Sequence, residues 1–295
     1  MAKKFEVTIL GVTSAIPILG RHPSCQVINY DEQVIMIECG EAAQIQIAKY
    51  QVKGRKIDHI FISHLHGDHC YGLPGLLTSY ALQGRKRKLS LHGPVGIRTF
   101  IDVIFASSGA FKPYNLDIIE YDTEKPNVIV VSPCVEVRTF PMKHRIPTMG
   151  FRVLECLQEF NIQSEAITKY GLSIEEIKAV KRGDDLIRNG EVIRNSMLTH
   201  PKPEPRSYAY CSDTVYDIDL VPFIQDSTLI YHETTYLDDL QSLAKERMHA
   251  TLGEAIDIAQ RAKVERMITG HYSSRYKDIN VFLEQGLPRF SGLQL

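Results

Sequence analysis

The stretch Phe61-Ile-Ser-His-Leu-His-Gly-Asp-His69 is the most informative part of this sequence. An apolar strand ends there in three histidines and one aspartate, on a turn that contains Gly67. Imidazole nitrogen suits zinc, and a neighbouring carboxylate adds charge that favours a second metal ion. The cluster cannot surround one tetrahedral ion by itself, but it can offer His64 and His66 to one metal and Asp68 and His69 to another. A polar surface turn is the alternative, which the density of histidines disfavours.

Two metal ions need further ligands, and suitable side chains follow other apolar runs. His144 follows the predicted strand Val135–Phe140, Asp213 follows Tyr208-Ala-Tyr-Cys-Ser, and His271 follows Met267-Ile-Thr-Gly. Taken singly, each is equally well explained as a loop histidine or an N-capping aspartate. Their shared position favours a common site. The isolated histidines are predicted to be surface or structural residues, namely His22, His59, His92 and His200.

Composition limits the class of protein. The chain has 295 residues, of which 44% are hydrophobic and 23% charged, as in a globular protein with a sizeable core. The net charge of −1 provides no global field for nucleic acid, so a polyanion must be held by local patches. Six scattered cysteines without a C-x-x-C pair favour reduced thiols. We find neither a signal-peptide pattern nor about 18 consecutive apolar residues, so we expect a cytoplasmic protein without a membrane partner.

Short strands alternate with helices in both halves of the chain, which suggests two sheets between helices. The predicted strands are Phe5–Leu10, Cys25–Tyr30, Gln33–Glu38, His59–Ser63, Asn127–Val131, Val135–Phe140, Gly150–Leu154, Ser207–Cys211, Thr228–Tyr231 and Arg266–Thr269. The predicted helices are Ala42–Tyr50, Pro74–Gln83, Gly96–Ala106, Leu237–Arg247 and Leu252–Ala262.

A polar, charge-rich segment interrupts this pattern at about 156–206. It contains one weak helix near Ile174–Val180 and ends in a cluster of three prolines at 201, 203 and 205. We expect an insertion that projects from the core, without a core of its own. Residues 1–295 are therefore predicted to form a single domain with an inserted arm.

The histidine cluster resembles the signature of the metallo-β-lactamase superfamily, and the wider sequence resembles its ribonuclease Z branch. The resemblance rests on these segments, which run in the family's order along nearly the whole chain: Gly11-Val-Thr-Ser-Ala-Ile-Pro17, Glu38-Cys-Gly-Glu-Ala-Ala-Gln44, Ser63-His-Leu-His-Gly-Asp-His-Cys-Tyr-Gly-Leu-Pro-Gly-Leu-Leu77, His92-Gly-Pro-Val-Gly96, Ser212-Asp-Thr214, His232-Glu-Thr-Thr235, His249-Ala-Thr251 and His271-Tyr-Ser-Ser-Arg-Tyr276. It implies an α/β fold, a four-layer αββα sandwich with the site at one edge of the two sheets.

The resemblance also implies a ligand set for two zinc ions, with manganese as an alternative. His64, His66 and His144 are assigned to one ion, and Asp68, His69 and His271 to the other, with Asp213 bridging both. Two such ions can share a hydroxide that attacks a phosphodiester. Asp68 is then a ligand that also orients this hydroxide.

The departing alkoxide needs a proton, and His249 paired with Glu233 is the predicted source. Each has a simpler explanation: His249 precedes Thr251-Leu-Gly-Glu254, which has capping-box spacing, and Glu233 could be a solvated charge. Thr214, Ser273 and Arg275 are the candidate substrate contacts, since a guanidinium and hydroxyls suit phosphate oxygens. A surface loop is the alternative for Ser273 and Arg275.

The insertion corresponds in position to the arm with which ribonuclease Z proteins hold the body of tRNA. Its candidate contacts are Lys178, Lys181, Arg182, Arg188 and Arg194, and Arg85-Lys-Arg-Lys88 adds a second basic patch. Solvated charge is the alternative explanation for both. The glycine- and proline-rich tip of the family's arm is replaced here by Asn161-Ile-Gln-Ser-Glu-Ala-Ile-Thr168.

We therefore predict a zinc-dependent endoribonuclease that cleaves the 3′ trailer from precursor tRNA, acting as a homodimer. The altered arm tip favours one alternative, a two-zinc phosphodiesterase or sulfatase acting on small-molecule esters. A metal-binding module without catalysis is a third hypothesis, which the presence of Glu233 and His249 disfavours.

Overall fold

Six strands form the first β-sheet of the computed structural model, which describes residues 3–109, 114–156, 159–188, 190–202 and 204–295. In chain order, which is also their order in the sheet, the strands are β1 (Phe5–Gly11), β2 (Cys25–Tyr30), β3 (Gln33–Ile37), β4 (Ile57–Phe61), β5 (Leu89–Pro94) and β6 (Leu116–Tyr121). The first three pair antiparallel and the last four parallel. The helices of this half are α1 (Ala43–Lys49), α2 (Gly67–Cys70), α3 (Leu73–Leu82) and α4 (Ile97–Ser108).

The second sheet has seven strands in the order β15-β14-β13-β12-β9-β8-β7. The remaining strands are β7 (Val128–Ser132), β8 (Val135–Met142), β9 (Thr148–Glu155), β10 (Leu186–Arg188), β11 (Glu191–Ile193), β12 (Ser207–Cys211), β13 (Leu229–Glu233), β14 (Met267–Gly270) and β15 (Leu293–Gln294). The remaining helices are α5 (Ser164–Tyr170), α6 (Ile174–Arg182), α7 (Val221–Ile224), α8 (Gln241–Arg247), α9 (Leu252–Arg261) and α10 (Asn280–Gly286).

Three apolar clusters join these elements into four layers. One cluster packs α1, α3 and α4 on the outer face of the first sheet, and another packs α7, α9 and α10 on the second. The third lies between the sheets, where Phe61 of β4 meets Phe151 of β9 with ring centroids 5.4 Å apart. The predicted αββα sandwich is confirmed.

Strand β4 shows how this packing positions the metal-binding turn. Its apolar residues are buried on both faces, as expected of a parallel strand inside a sandwich. The backbone leaves the sheet after Phe61, and the histidines follow at the carboxyl end of the strand. Carboxyl ends of strands are where open α/β sheets place their sites.

The inserted segment differs from the prediction in one respect, because it buries a small apolar cluster of its own. The buried members of this cluster are Ala166, Leu172, Val180, Leu186 and Leu198. The altered tip contributes to it: without glycine or proline, the chain forms helix α5 from Ser164. The predicted helix near Ile174 is confirmed as α6, which begins at a capping box made by Ser173 and Glu176.

In the part of the chain that the structure describes, no helix is long and apolar enough to cross a bilayer. All six cysteines are free thiols.

Candidate active site

The seven predicted ligands converge at the edge where both sheets present their strand ends. His64–His69 follow β4, while His144 follows β8, Asp213 follows β12 and His271 follows β14. Their donor atoms form two adjoining groups, one of His64, His66, His144 and Asp213 and another of Asp68, His69 and His271. All seven candidate ligands are therefore brought together at this edge.

The first group has the spacing of a tetrahedral zinc site. His66 Nδ1 lies 3.0 Å from His64 Nε2 and 3.3 Å from His144 Nε2. Asp213 Oδ2 lies 3.7 Å from His64 Nε2 and 3.8 Å from His144 Nε2. Donor atoms at ordinary zinc–nitrogen distances lie about 3.3 Å apart around a tetrahedral ion.

The second group has similar spacing. His271 Nε2 lies 3.3 Å from His69 Nε2 and 3.3 Å from Asp68 Oδ2. The other carboxylate oxygen of Asp213, Oδ1, lies 3.4 Å from His69 Nε2 and 3.3 Å from His271 Nε2. Asp213 thus directs one oxygen to each group, as a bridging ligand would.

A buried carboxylate oxygen without a hydrogen-bond partner in the described part of the chain indicates that this site binds cations. Asp213 Oδ1 is buried and accepts no hydrogen bond from the described residues, which is costly unless an ion balances it. Burial alone would lower the pKa of His69, but Asp213 and Asp68 raise it well above its usual value. Burial lowers the pKa of His144 to about 4, which keeps that imidazole in the neutral form that binds metal.

Hydrogen bonds outside the cluster fix the tautomers of two ligands. His144 Nδ1 lies 2.8 Å from the carbonyl oxygen of Met248, so it carries the proton and Nε2 is left bare. The Thr235 hydroxyl donates to Glu233 Oε2 at 2.7 Å, so it must accept from His271 Nδ1 at 2.9 Å. Thr235 therefore leaves Nε2 of His271 bare and links this ligand to Glu233.

The Glu38 carboxylate lies next to the imidazole of His69. Its carboxylate accepts two bonds from the Ser63 amide and lies 3.4 Å from His69 Nδ1. Both Glu38 and His271 have left-handed backbones, with φ of 59° each, which non-glycine residues adopt at an energetic cost. The roles of Glu38 and Thr235 were not predicted from the sequence, although both residues lie in the quoted motifs.

Glu233 and His249 form the predicted pair. His249 Nδ1 lies 2.9 Å from Glu233 Oε1, and the amides of Thr214 and Ala250 donate to the same oxygen at 3.1 and 3.0 Å. Burial alone would lower the pKa of His249, but the Glu233 carboxylate raises it to about 8. The capping box at Thr251 is present as well, so this segment both starts α9 and carries His249.

A cleft of about 640 Å³ opens over the two groups. Ser273 and Arg275, two of the candidate substrate contacts, line it. Thr214, the third, does not: it is fully buried, and its hydroxyl donates to the carbonyl oxygen of Val215. In this structure its backbone amide holds Glu233. Arg145 and Arg247, which were not predicted from the sequence, also line the cleft.

Carboxylates neutralise much of the predicted basic patch at residues 85–88. Arg85 is buried and pairs with Asp58 at 2.6 Å, Arg87 pairs with the same aspartate, and Lys88 pairs with Asp117 at 2.9 Å. Arg85 is therefore a structural residue, whereas the exposed pairs of Arg87 and Lys88 are weak and leave these two cations as candidates for phosphate.

The insertion shows the same pattern in part. Arg188 makes a forked pair with Glu176 and bonds the carbonyl of Gly171, which makes it a structural residue. Lys181 pairs with Glu159 at 3.7 Å and Arg182 with Asp184 at 3.4 Å. Both pairs are exposed and weak, so these two cations remain candidates for phosphate.

Comparison with known proteins identifies the family. The chain is 39% identical to ribonuclease Z of Porphyromonas gingivalis over 95% of its own length and 93% of that protein. It is 38% identical to ribonuclease Z of Bacteroides thetaiotaomicron, over 98% and 92% of the two chains. This chain belongs to the ribonuclease Z family. A ribonuclease Z is a metal-dependent hydrolase and an endoribonuclease, as the sequence analysis predicted.

Solved structures agree with this assignment. Human tRNase Z, short form, superposes with a TM-score of 0.68 at 26% identity, covering 91% of this chain and 93% of the human one. A metallo-β-lactamase fold protein from Bacillus subtilis superposes with a TM-score of 0.68 at 16% identity, covering 98% and 95%, which shows the shared fold. A family model described as anti-Pycsar protein Apyc1 matches residues 5–99.

The Thr235 hydroxyl gives the first testable prediction for this chain. Thr235→Val removes the acceptor for His271 Nδ1 and a donor to Glu233, so we expect the affinity for divalent metal or kcat to fall roughly 10- to 100-fold. Thr235→Ser keeps the hydroxyl and should stay near wild type. Metal titration with a competing chelator, together with kcat at saturating metal, measures both effects. Wild-type affinity and turnover in Thr235→Val would contradict the role.

Proposed function

We propose that this ribonuclease Z-family chain removes the 3′ trailer from precursor tRNA, cutting after the discriminator position and leaving a 3′-hydroxyl on the tRNA. The observation that carries the proposal is the joint placement of two ligand groups and the Glu233–His249 pair in one cleft. A metal site without catalysis has no need of a proton donor. A phosphodiester whose leaving group is an alkoxide does need one.

Two zinc ions are the proposed cofactors. His64, His66 and His144 would hold one ion, Asp68, His69 and His271 the other, and Asp213 both. Five imidazoles with two carboxylates suit zinc, and manganese is the alternative. When bound, the pair of ions would supply an activated water nucleophile and stabilise charge on the phosphate.

Proton delivery is the task of His249 in this proposal. Glu233 Oε1 accepts from Nδ1 at 2.9 Å, which leaves Nε2 as the atom that donates to the departing 3′ oxygen. The raised pKa of His249, about 8, keeps the imidazole protonated at neutral pH. Glu233 is a positioning residue that sets both the tautomer and the pKa.

Asp68 is the proposed proton acceptor for the attacking water. Its Oδ2 accepts the Ala15 amide at 2.7 Å and faces His271, so Oδ1 is the candidate acceptor. Neighbouring histidines favour its ionised form: burial alone would raise the pKa of Asp68, but His69 lowers it below the usual range.

The pH profile tests the Glu233–His249 pair. Because Glu233 raises the pKa of His249, Glu233→Gln should lower it and move the basic limb of the kcat profile to lower pH. The direction follows from the acid role, since activity is lost as His249 deprotonates. Measuring kcat from about pH 6 to about pH 9 distinguishes a shifted basic limb from a uniform loss of activity. A uniformly reduced profile with an unmoved limb would contradict the assignment.

Substrate phosphates are proposed to contact the guanidinium groups of Arg145, Arg247 and Arg275, which line the cleft together with Ser273. The Arg145 guanidinium is anchored by two hydrogen bonds to the Arg247 carbonyl. An anchored guanidinium loses less freedom when it binds phosphate.

We further propose that residues 1–295 form one domain and that its arm, at about 156–206, grips the body of precursor tRNA. We also propose that the protein is a homodimer, in which one subunit's arm serves the partner's site. A cytoplasmic location is proposed as well. Exposed Ile45 and Leu82, on the outer helices α1 and α3, offer apolar surface for a second copy. Sedimentation velocity measures the oligomeric state directly.

A two-substrate assay tests the function. Zinc-loaded protein is incubated with 3′-extended tRNA and with bis-p-nitrophenyl phosphate, alongside Asp68→Ala. Cleavage of both substrates that is lost in Asp68→Ala supports the proposal. Turnover of the ester alone supports the small-molecule alternative, and no turnover despite two bound metals supports a binding module.

A further inference from the structure

The lining of the metal cleft combines two kinds of side chain. Three guanidinium groups contribute to it, from Arg145, Arg247 and Arg275. Ile16 and Tyr71 contribute apolar surface, and the Tyr71 ring lies against Gly67 of the metal-binding turn. Grooves that bind single-stranded nucleic acid combine cations for the phosphates with aromatic faces for the bases.

Tyr71 is exposed in a way that packing does not explain. Tyr71 is 61% exposed. Tyr236, the other tyrosine that lines the cleft, is 8% exposed and has the Arg275 guanidinium over its ring. The described residues give the Tyr71 hydroxyl no hydrogen-bond partner. Much of this aromatic side chain is therefore exposed where it lines the cleft.

The ring of Tyr71 is nevertheless held in place. It lies against Gly67, where an added Cβ would meet the Cε2 atom of the ring, so a larger residue there would displace the ring from this position. Behind it, Phe100 lies nearly parallel at an interplanar angle of 13°, and Phe100 packs on the core of the first sheet. A supported ring loses little freedom when a base stacks on it.

The position of the Tyr71 ring indicates which of the two nucleotides beside the scissile phosphate it would contact. His249 marks the side of the departing 3′ oxygen, which belongs to the tRNA. Tyr71 stands on the turn that carries His66 and Asp68, so it adjoins the metal ligands rather than the proton donor. The nucleotide that keeps the phosphate is the first one of the trailer.

We propose that Tyr71 is a stacking platform for the base of the first trailer nucleotide. This inference rests on the proposed tRNA-processing function and adds to it a subsite for the leaving strand. Stacking is tolerant of base identity, so the subsite would accept trailers of varied sequence. Ile16, which is exposed and lines the same cleft, adds apolar surface to it.

A substrate–variant cycle tests the platform. Wild type and Tyr71→Ala are assayed on two 3′-extended tRNAs, one with a normal first trailer nucleotide and one with an abasic residue there. We expect Tyr71→Ala to lower kcat/KM on the normal substrate on the order of tenfold. Wild type should lose as much on the abasic substrate, and the variant should lose no more than about twofold further.

Two further variants define the controls. Tyr71→Phe keeps the ring and should remain within about twofold of wild type on both substrates. Tyr50→Ala removes a tyrosine that is 51% exposed but lies outside the cleft, and should leave both rates unchanged. Zinc content is measured for each variant.

Three results would overturn the inference. In the first, the abasic substitution costs Tyr71→Ala as much as it costs wild type. In the second, Tyr71→Ala loses its zinc, which would assign the ring a structural role. In the third, wild type leaves all 3′-extended tRNA uncut, and the proposed function then falls as well. Because the first two arise with active wild type, the failures are distinguishable.

Discussion

Asp213→Asn is expected to abolish the binding of both proposed metal ions and to reduce kcat/KM roughly a thousandfold or more. Asp213 is the one described residue that faces both ligand groups, with Oδ2 toward His64 and His144 and Oδ1 toward His69 and His271. An amide keeps the volume of the side chain but supplies one neutral oxygen in place of two charged ones. Metal analysis of the purified variant and steady-state kinetics measure the two losses.

A surface aspartate provides the matched control. Asp257 pairs with Arg261 at 2.6 Å outside the ligand groups, so Asp257→Asn should keep both metals and near-normal turnover. Circular dichroism checks that Asp213→Asn is folded. Two stoichiometric zinc ions and normal turnover in folded Asp213→Asn would refute the bridging assignment.

His249→Ala should lower kcat on 3′-extended tRNA roughly 10²- to 10⁴-fold, because an alkoxide leaves slowly without a proton. The zinc content should be unchanged, since the two main ligand groups are complete without His249. Bis-p-nitrophenyl phosphate provides an internal control, because nitrophenolate departs without protonation. The variant should therefore lose less than about tenfold on this ester.

The ratio of the two losses decides the role of His249. A much larger loss on RNA than on the ester identifies a proton donor. Equal losses on both substrates would instead assign His249 a structural or metal-holding role. Its 4.0 Å distance from Asp213 makes this second outcome physically meaningful, so zinc content must be measured with the rates.

Strands that contain a strong apolar run were predictable from the sequence, whereas strands without such a run were not. Strand β12 has the predicted bounds, Ser207–Cys211, because its five residues are all buried. Strand β5, in contrast, was missed. It follows four basic residues and ends in His92-Gly-Pro94, a pattern typical of a turn, yet all its residues are buried between parallel neighbours. Tertiary contacts override local propensity there.

The convergence of the seven candidate ligands was predictable because a dense histidine turn and a family resemblance singled them out. The supporting groups were not, since their contacts are long-range. Glu38 meets Ser63 across 25 positions, and Thr235 meets His271 across 36. The burial of Thr214 was not predictable either, because adjacency to Asp213 in sequence does not determine which way a side chain points.

Each ligand group draws on both halves of the chain, because His64–His69 follow the first sheet while His144, Asp213 and His271 follow the second. Bound ions would thus cross-link the two sheets, and their affinity would add to the free energy that holds the halves together. Amide hydrogens between the sheets should then exchange faster after chelation, while those within each half change less. The catalytic metal centre would therefore also stabilise the association of the two halves of the sandwich.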